Sequence, residues 1–401
     1  MAINQSKFYL GLSPQTLKLK GAAHTAIEIT QQPKLWQTTW QVVATQQRAL
    51  EKFLNRVYSN ENLDVILTGA GTSAFIGNIL QGPFQKNTGK STRAIPSTDI
   101  VSHPEENLQY NTPTLLISFA RSGNSPESIA AVELANNFCS KVYHLIITCN
   151  SRGKLASNVN KDDAFIFLLP PEADDQGLAM TGSFTSMLLT GLLISRLSAL
   201  HDLKRQIEIL SEYGEKILCN YVEKLNNAAS LDFKRAVFLG SGPLLGTARE
   251  SQLKLQELTD GKVICKYDSF LGLRHGPKAV IDASTLLVYL FSNKEYVHKY
   301  EVDLVNTINE EEKGMFSIGV YETNGELHKI DLKIELSGGD EKIDEEFLSV
   351  CSVLPAQILG FFKSLHLGLT PDSPSITGTI TRVVEGVTIY PFTSTVPANA
   401  V

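Results

Sequence analysis

The residues best suited to move a proton are Glu250, Lys254 and Glu257, spaced i, i+4 and i+7 in a stretch, 246–258, whose Leu253, Leu255 and Leu258 are apolar. On a helix that spacing sets all three charges on one face. Taken alone, such a ladder reads as a surface salt-bridge row. The segment that follows points elsewhere. In Phe270-Leu271-Gly272-Leu273-Arg274-His275-Gly276-Pro277-Lys278, a histidine framed by glycine and proline belongs to a rigid loop. Imidazole is the side chain whose proton exchange falls near neutral pH. A carboxylate, a neighbouring ammonium and a loop-borne imidazole suit general acid–base work on a carbonyl compound. The histidines show no metal-ligand spacing, so no metal is expected.

A second set of residues could hold an anion. Gly69-Ala70-Gly71-Thr72-Ser73-Ala74 lies between a β-branched run and a helical stretch, where backbone N–H groups and the helix dipole converge. The same residues match a dinucleotide G-x-G-x-x-A pattern. The acidic residue expected about 20 positions on is missing, Asp99 lying too far along, so that reading is set aside. The next strand runs into Ser118-Phe119-Ala120-Arg121-Ser122-Gly123-Asn124-Ser125-Pro126-Glu127, another hydroxyl-rich turn entering a helix. One such turn is ordinary N-capping. Two in successive strand–helix units favour a shared phosphate, held by Gly71, Thr72, Ser73, Ser122, Gly123 and Ser125, with Arg121 adding charge. A third segment, Thr181-Gly182-Ser183-Phe184-Thr185-Ser186, opens a helix; Thr181 and Ser183 are expected to cap it, touch the sugar, or both.

To bring these groups together the chain needs strands that end at one edge. Short apolar runs, Val65 to Leu67, Leu115 to Ile117, Leu145 to Ile147 and Phe165 to Leu169, alternate with helical stretches, which predicts a parallel sheet with helices on both faces. The pattern recurs at Val237 to Leu239, Val263-Ile264, Leu286 to Phe291, Phe316 to Val320 and Ile330 to Ile334. Val65-Ile66-Leu67-Thr68-Gly69-Ala70-Gly71 is echoed by Val237-Phe238-Leu239-Gly240-Ser241-Gly242, about 170 residues later, as duplicated domains require. The expected architecture is α/β: two tandem domains, each a flavodoxin-like three-layer sandwich. The expected division is a helical lead-in over 1–48, a first domain over 49–215, a second over 216–375 and a tail over 376–401 that packs near the site.

Composition narrows the partners. The 401 residues carry a net charge of −6 without basic clusters, which argues against nucleic acid and for a small molecule. Residues 1–12 do not read as a secretory signal, and the apolar run 187–200, broken by Arg196, reads as a core helix and not a membrane span. Five cysteines without a C-x-x-C pair fit reduced thiols in the cytoplasm.

These segments resemble the sugar isomerase (SIS) domain, in the tandem form found in the isomerase half of glucosamine-6-phosphate synthase. Glu28-Ile29-Thr30-Gln31-Gln32-Pro33, Ala179-Met180-Thr181-Gly182-Ser183-Phe184-Thr185 and Gly378-Thr379-Ile380-Thr381-Arg382-Val383-Val384-Glu385-Gly386-Val387 are more closely similar to the galactosamine-6-phosphate deaminase/isomerase family, also labelled tagatose-6-phosphate ketose/aldose isomerase. The resemblance implies a hexosamine phosphate substrate, with Ser73, Ser122 and Ser125 on the phosphate. It makes Glu257 the carboxylate that moves a proton between C1 and C2, His275 the ring-opening residue and Lys254 a nearby support. It also implies a homodimer with shared active sites, since in the synthase this histidine comes from the partner subunit. No cofactor is expected, because the substrate's own carbonyl can serve as the electron sink. Two departures stand out. Glu385 occupies the tail position where the synthase carries a catalytic lysine, and no glutaminase-like segment is present, so amide-driven synthesis is not expected. A plain aldose/ketose isomerase, or a phosphosugar sensor, remains the alternative reading, and galacto versus gluco configuration stays open.

Overall fold

The computed structural model describes residues 8–311, 313–323, 329–339, 341–384 and 386–392; Glu312, Asp340 and Glu385 lie outside them. Helix α1 (Ala23–Thr30) leads into α2 (Gln32–Tyr58), a helix of 27 residues with Pro33 in its first turn, where the missing N–H costs nothing. The first repeat then runs β1 (Asp64–Thr68), α3 (Thr72–Thr88), β2 (Thr92–Ala94), β3 (Pro113–Ala120), α4 (Pro126–Phe138), β4 (Lys141–Thr148), β5 (Ala164–Leu168) and α5 (Gly182–Ser195). After α6 (Lys204–Asn220), the second comprises β6 (Arg235–Leu239), α7 (Pro243–Leu258), β7 (Ile264–Asp268), β8 (Thr285–Leu290), α8 (Glu295–Glu310), β9 (Phe316–Tyr321) and β10 (Leu332–Glu335). Helix α9 (Leu354–His366) follows. Residue 48 falls inside α2 and residue 215 inside α6, so neither marks a break in the chain.

The expected α/β duplication is what the strands show. The two five-stranded sheets have orders β2-β1-β3-β4-β5 and β10-β9-β8-β6-β7, all neighbours parallel. Reversing the second list gives 7-6-8-9-10, the same winding as the first. The first-sheet strand that apolar patterning did not foresee is β2, Thr-Arg-Ala, too short and polar to register. One core runs between the sheets through α2, α3, α5, α6, α7 and α9, and separate cores cover each outer face.

Parallel strands buried on both faces read as unbroken apolar runs. Helix α5 is buried along its whole length, so its apolar run is that of a core helix. A second run, Glu345–His366, is long and apolar enough to cross a membrane, but it is 94% buried inside the protein.

Helices α3 and α7 cross at very close range. A Cβ on Gly246 would lie 2.5 Å from Ile79 Cγ1, so only glycine admits the crossing. It brings the C-terminal half of α7 against the N-terminus of α3, where Lys254 Nζ stands 3.2 Å from Thr72 Oγ1.

Candidate active site

In a doubly wound sheet, the crevice opens where the strand order reverses, here between β1 and β3. The β1–α3 turn folds as it does because Gly71 takes φ +55° and because a Cβ on Gly69 would meet the Ser73 backbone at 2.7 Å. Across the crevice, Gly123, at φ +64°, turns the chain after Arg121 and Ser122. Gly71, Ser73, Arg121, Ser122, Gly123, Ser125 and Ser128 line one cavity of about 150 Å³ there. Its lining combines hydroxyls with the N-terminus of a 17-residue helix, the chemistry of an anion cradle. Ser128 was missed from sequence. It lies one helical turn beyond Ser125, and their hydroxyls are 3.0 Å apart; the i, i+3 repeat Ser122, Ser125, Ser128 was the available signal.

The structure revises one expectation and adds to another. Thr181 and Ser183 are fully buried and turned away from the cavity onto Asp175. Its carboxylate accepts the N–H groups of Thr181 (2.8 Å), Gly182 (3.1 Å) and Ser183 (2.9 Å), as well as both hydroxyls. They satisfy the start of α5 around an internal anion. Arg121 lines the cavity, yet its guanidinium donates to the carbonyls of Gly177 (3.3 Å), Leu178 (3.3 Å) and Arg382 (2.6 Å). Burial holds its pKa below the ordinary guanidinium value, with Asp175 pulling the other way. Its charge contributes to the potential of the cradle while its N–H groups brace the surrounding chain.

An adjoining cavity of about 490 Å³ shares Ala70, Arg121, Met180, Arg382 and Val384 with the cradle and adds Thr72, Leu178, Glu257 and tail residues 378–381. The ladder of α7 is therefore no surface row. Glu250 and Lys254 are fully buried, and only Glu257 reaches the opening, its side chain 23% exposed. Lys254 Nζ lies 2.7 Å from Glu257 Oε2 and 3.2 Å from Glu250 Oε1, and Thr72 Oγ1 lies 3.3 Å from Glu250 Oε1.

Electrostatics assign these groups different tasks. Burial lowers the pKa of Lys254, but Glu250 and Glu257 outweigh it and raise it above the ordinary lysine value. Burial pushes Glu250 up to about 7, against the pull of Lys254. One ammonium thus holds a cavity-facing carboxylate in place while a second, buried carboxyl sits near its titration point. Behind the wall of the cavity, Glu28 of α1 accepts the N–H groups of Gln176 (2.5 Å) and Gly177 (3.2 Å). Burial and the neighbouring Asp175 push Glu28 up to about 8.

The second repeat keeps the turn but not its polar groups. Gly242 has φ 53° and ψ −126°, against 55° and −128° at Gly71. Pro243 then removes an N–H, and Leu244 stands where Ser73 stands. His275 is exposed, one residue before the short helix 276–280, and does not line either cavity of its own chain. Tail residues 378–382 and 384 line the larger cavity; Glu385 lies outside the described residues.

The doubled parallel sheet with a hydroxyl cradle at its first switch point defines the class: a protein of two SIS domains. The SIS domain family model matches residues 58–195. D-galactosamine-6-phosphate deaminase AgaS of Escherichia coli O157:H7 is 42% identical over 370 residues, 92% of this chain and 96% of its own length. The crystal structure of tagatose-6-phosphate ketose/aldose isomerase from Escherichia coli is 38% identical, with TM-score 0.85 over 92% of this chain and 97% of that one. A solved structure from Clostridium novyi NT is 43% identical, with TM-score 0.93 over 96% of this chain and 100% of that one. The chain belongs to the D-galactosamine-6-phosphate deaminase AgaS family.

Proposed function

We propose that this protein is a galactosamine-6-phosphate deaminase/isomerase, converting the amino-sugar phosphate to tagatose 6-phosphate and ammonia. The observation that carries the reading is the pair of adjoining cavities: an anion cradle in one, and in the other a carboxylate fixed by a buried ammonium. The substrate's phosphate occupies the cradle of Gly71, Ser73, Ser122, Gly123, Ser125 and Ser128, whereas Thr72, expected there from sequence, lines the adjoining cavity with its hydroxyl against Glu250 and Lys254. The sugar extends toward Glu257, under tail residues 378–384.

Ring opening by His275 exposes a C1 aldehyde, which acidifies the proton on the amine-bearing C2. Glu257 removes that proton, leaving an enolamine, and returns it to C1. The result is an imine at C2, and water adds to it to release ammonia and the ketose phosphate. Lys254, whose Nζ lies 2.7 Å from Glu257 Oε2, keeps that carboxylate aimed. Since His275 does not line its own chain's cavity, we assign it to the site of a second copy in a homodimer. The cytoplasm is the compartment we assign, and the five free cysteines support that.

The name of the Escherichia coli structure supports a second reading, interconversion of ketose and aldose phosphates without loss of nitrogen. Purified protein incubated with galactosamine 6-phosphate, with glucosamine 6-phosphate and with their N-acetylated forms, assayed for ammonia, separates the two. Ammonia from the galacto substrate is expected. Its absence, alongside turnover of tagatose 6-phosphate, would establish the isomerase instead.

A further inference from the structure

Residues 375–384 cross the sugar half of the cavity as an exposed strap, and among the described residues the hydrogen bonds from 377–384 to the body of the protein all run through Arg382. Its Nε donates to the Asp175 carbonyl (2.9 Å); its Nη2 donates to the same carbonyl (2.5 Å) and pairs with Asp174 Oδ1 (2.9 Å). In return, its own carbonyl accepts from Arg121 Nη2 (2.6 Å). Neighbouring contacts along the strap are internal, such as Ile380 N to Ser375 Oγ and Thr381 Oγ1 to Val383 O. Earlier in the strap, Ile376 N reaches Asp260 Oδ2 at 3.3 Å; later, the Phe392 ring packs 5.4 Å from that of Phe138.

Asp174 and Asp175 stand on the same loop as Leu178 and Met180, which line the cavity. Asp175 is itself fixed at the start of α5 by the N–H groups of Thr181, Gly182 and Ser183. Arg121 begins the β3–α4 turn that carries Ser122 and Ser125. The reciprocal arginine contact therefore joins the strap to both the wall and the cradle, with a charge-assisted bond at one end and a buried guanidinium at the other.

We propose that Arg382 is a positioning residue: it latches the strap over the sugar half of the site, so that the strap, and not the cradle, sets affinity for the hexose portion of the substrate. This inference rests on the assignment of the cradle to phosphate given above.

Inorganic phosphate is the probe that keeps the two apart. In the wild-type enzyme it should inhibit competitively; if it does not, the cradle assignment fails, whatever Arg382 does. Arg382→Ala should raise KM for the sugar phosphate about tenfold or more, the loss expected for a charge-assisted bond with its companions. The inhibition constant of inorganic phosphate should rise by a clearly smaller factor, because Arg382 and Val384 border the cradle while its serine hydroxyls and the N-terminus of α3 stay in place. Arg382→Lys, which keeps the charge but not the planar fork, should fall between the two. Hydrogen exchange followed by mass spectrometry gives a readout free of activity: the amides of 376–384 should exchange faster in Arg382→Ala while those of α3 and α7 keep their protection. Should Arg382→Ala fold poorly, Asp174→Asn weakens the same latch from the other side and should shift KM in the same direction. An unchanged KM in folded variants overturns the latch. So does a parallel loss of phosphate and sugar-phosphate binding, which would mean that Arg382 acts through the cradle.

Discussion

Replacing Lys254 by methionine tests whether a buried ammonium holds the reactive carboxylate. At an effective dielectric near 20, its attractions to Glu257 at 2.7 Å and Glu250 at 3.2 Å are about 6 and about 5 kcal/mol. Desolvating the ammonium offsets much of that, and removing one member of such a buried set costs about 3–5 kcal/mol net. The cost should depend on pH. Glu250 is pushed up to about 7 even with Lys254 beside it, and higher without it. A carboxyl with a raised folded-state pKa stays neutral while its unfolded counterpart ionises, so stability is lost as pH rises from the ordinary value of 4.5 through the folded one. Lys254→Met should therefore be only mildly destabilised near pH 5 and most destabilised above about pH 8. Urea unfolding followed by tryptophan fluorescence at the two pH values measures this, with ammonia release as the activity assay. Adding Glu250→Gln should recover most of the stability but not the rate, because Glu257 still lacks its anchor. A single variant as stable as wild type at both pH values, or a double variant with full activity, would refute the reasoning.

Three further outcomes are expected. Ser128→Ala should weaken sugar-phosphate binding by about tenfold, as loss of one hydroxyl donor to a charged oxygen implies, and should weaken inhibition by inorganic phosphate equally; steady-state kinetics check both. Glu257→Gln and His275→Ala should each be nearly inactive, since losing a positioned acid or base costs about 10²–10⁴ in rate. Mixed in equal amounts after subunit exchange, they should regain about a quarter of wild-type activity, because one site in each hybrid dimer keeps both groups; no recovery would place His275 outside a shared site. Glu28→Gln should flatten the loss of thermal stability between about pH 4.5 and about pH 8, the window over which the folded-state Glu28 stays protonated while the unfolded one does not; melting curves across that range check it.

The fold was legible because parallel strands buried on both faces announce themselves as β-branched runs and because the Gly-x-Gly turn is written twice. Spacing could not reveal that α7 packs its charged face against α3. Helical periodicity shows which residues share a face, not what that face meets. For the same reason the hydroxyls of Thr181 and Ser183 looked available, whereas Asp175, several residues upstream, takes all of them. Arg121 was readable as a cation near an anion site but not as a brace, since its acceptors are main-chain carbonyls that carry no sequence signature. Arg382 went unnoticed because its partners lie over two hundred positions earlier in the chain. Ser128 could have been found by extending the serine repeat by one helical turn.

The crossing at Gly246 has a mechanical corollary. With Ile79 of the first repeat lodged where a side chain at 246 would otherwise project, the two halves of the molecule are keyed together along α3 and α7. The cavity that holds Glu257 is bordered by residues 378–382 and 384, so a stiffer or looser ribbon there is expected to change how readily a sugar reaches the carboxylate.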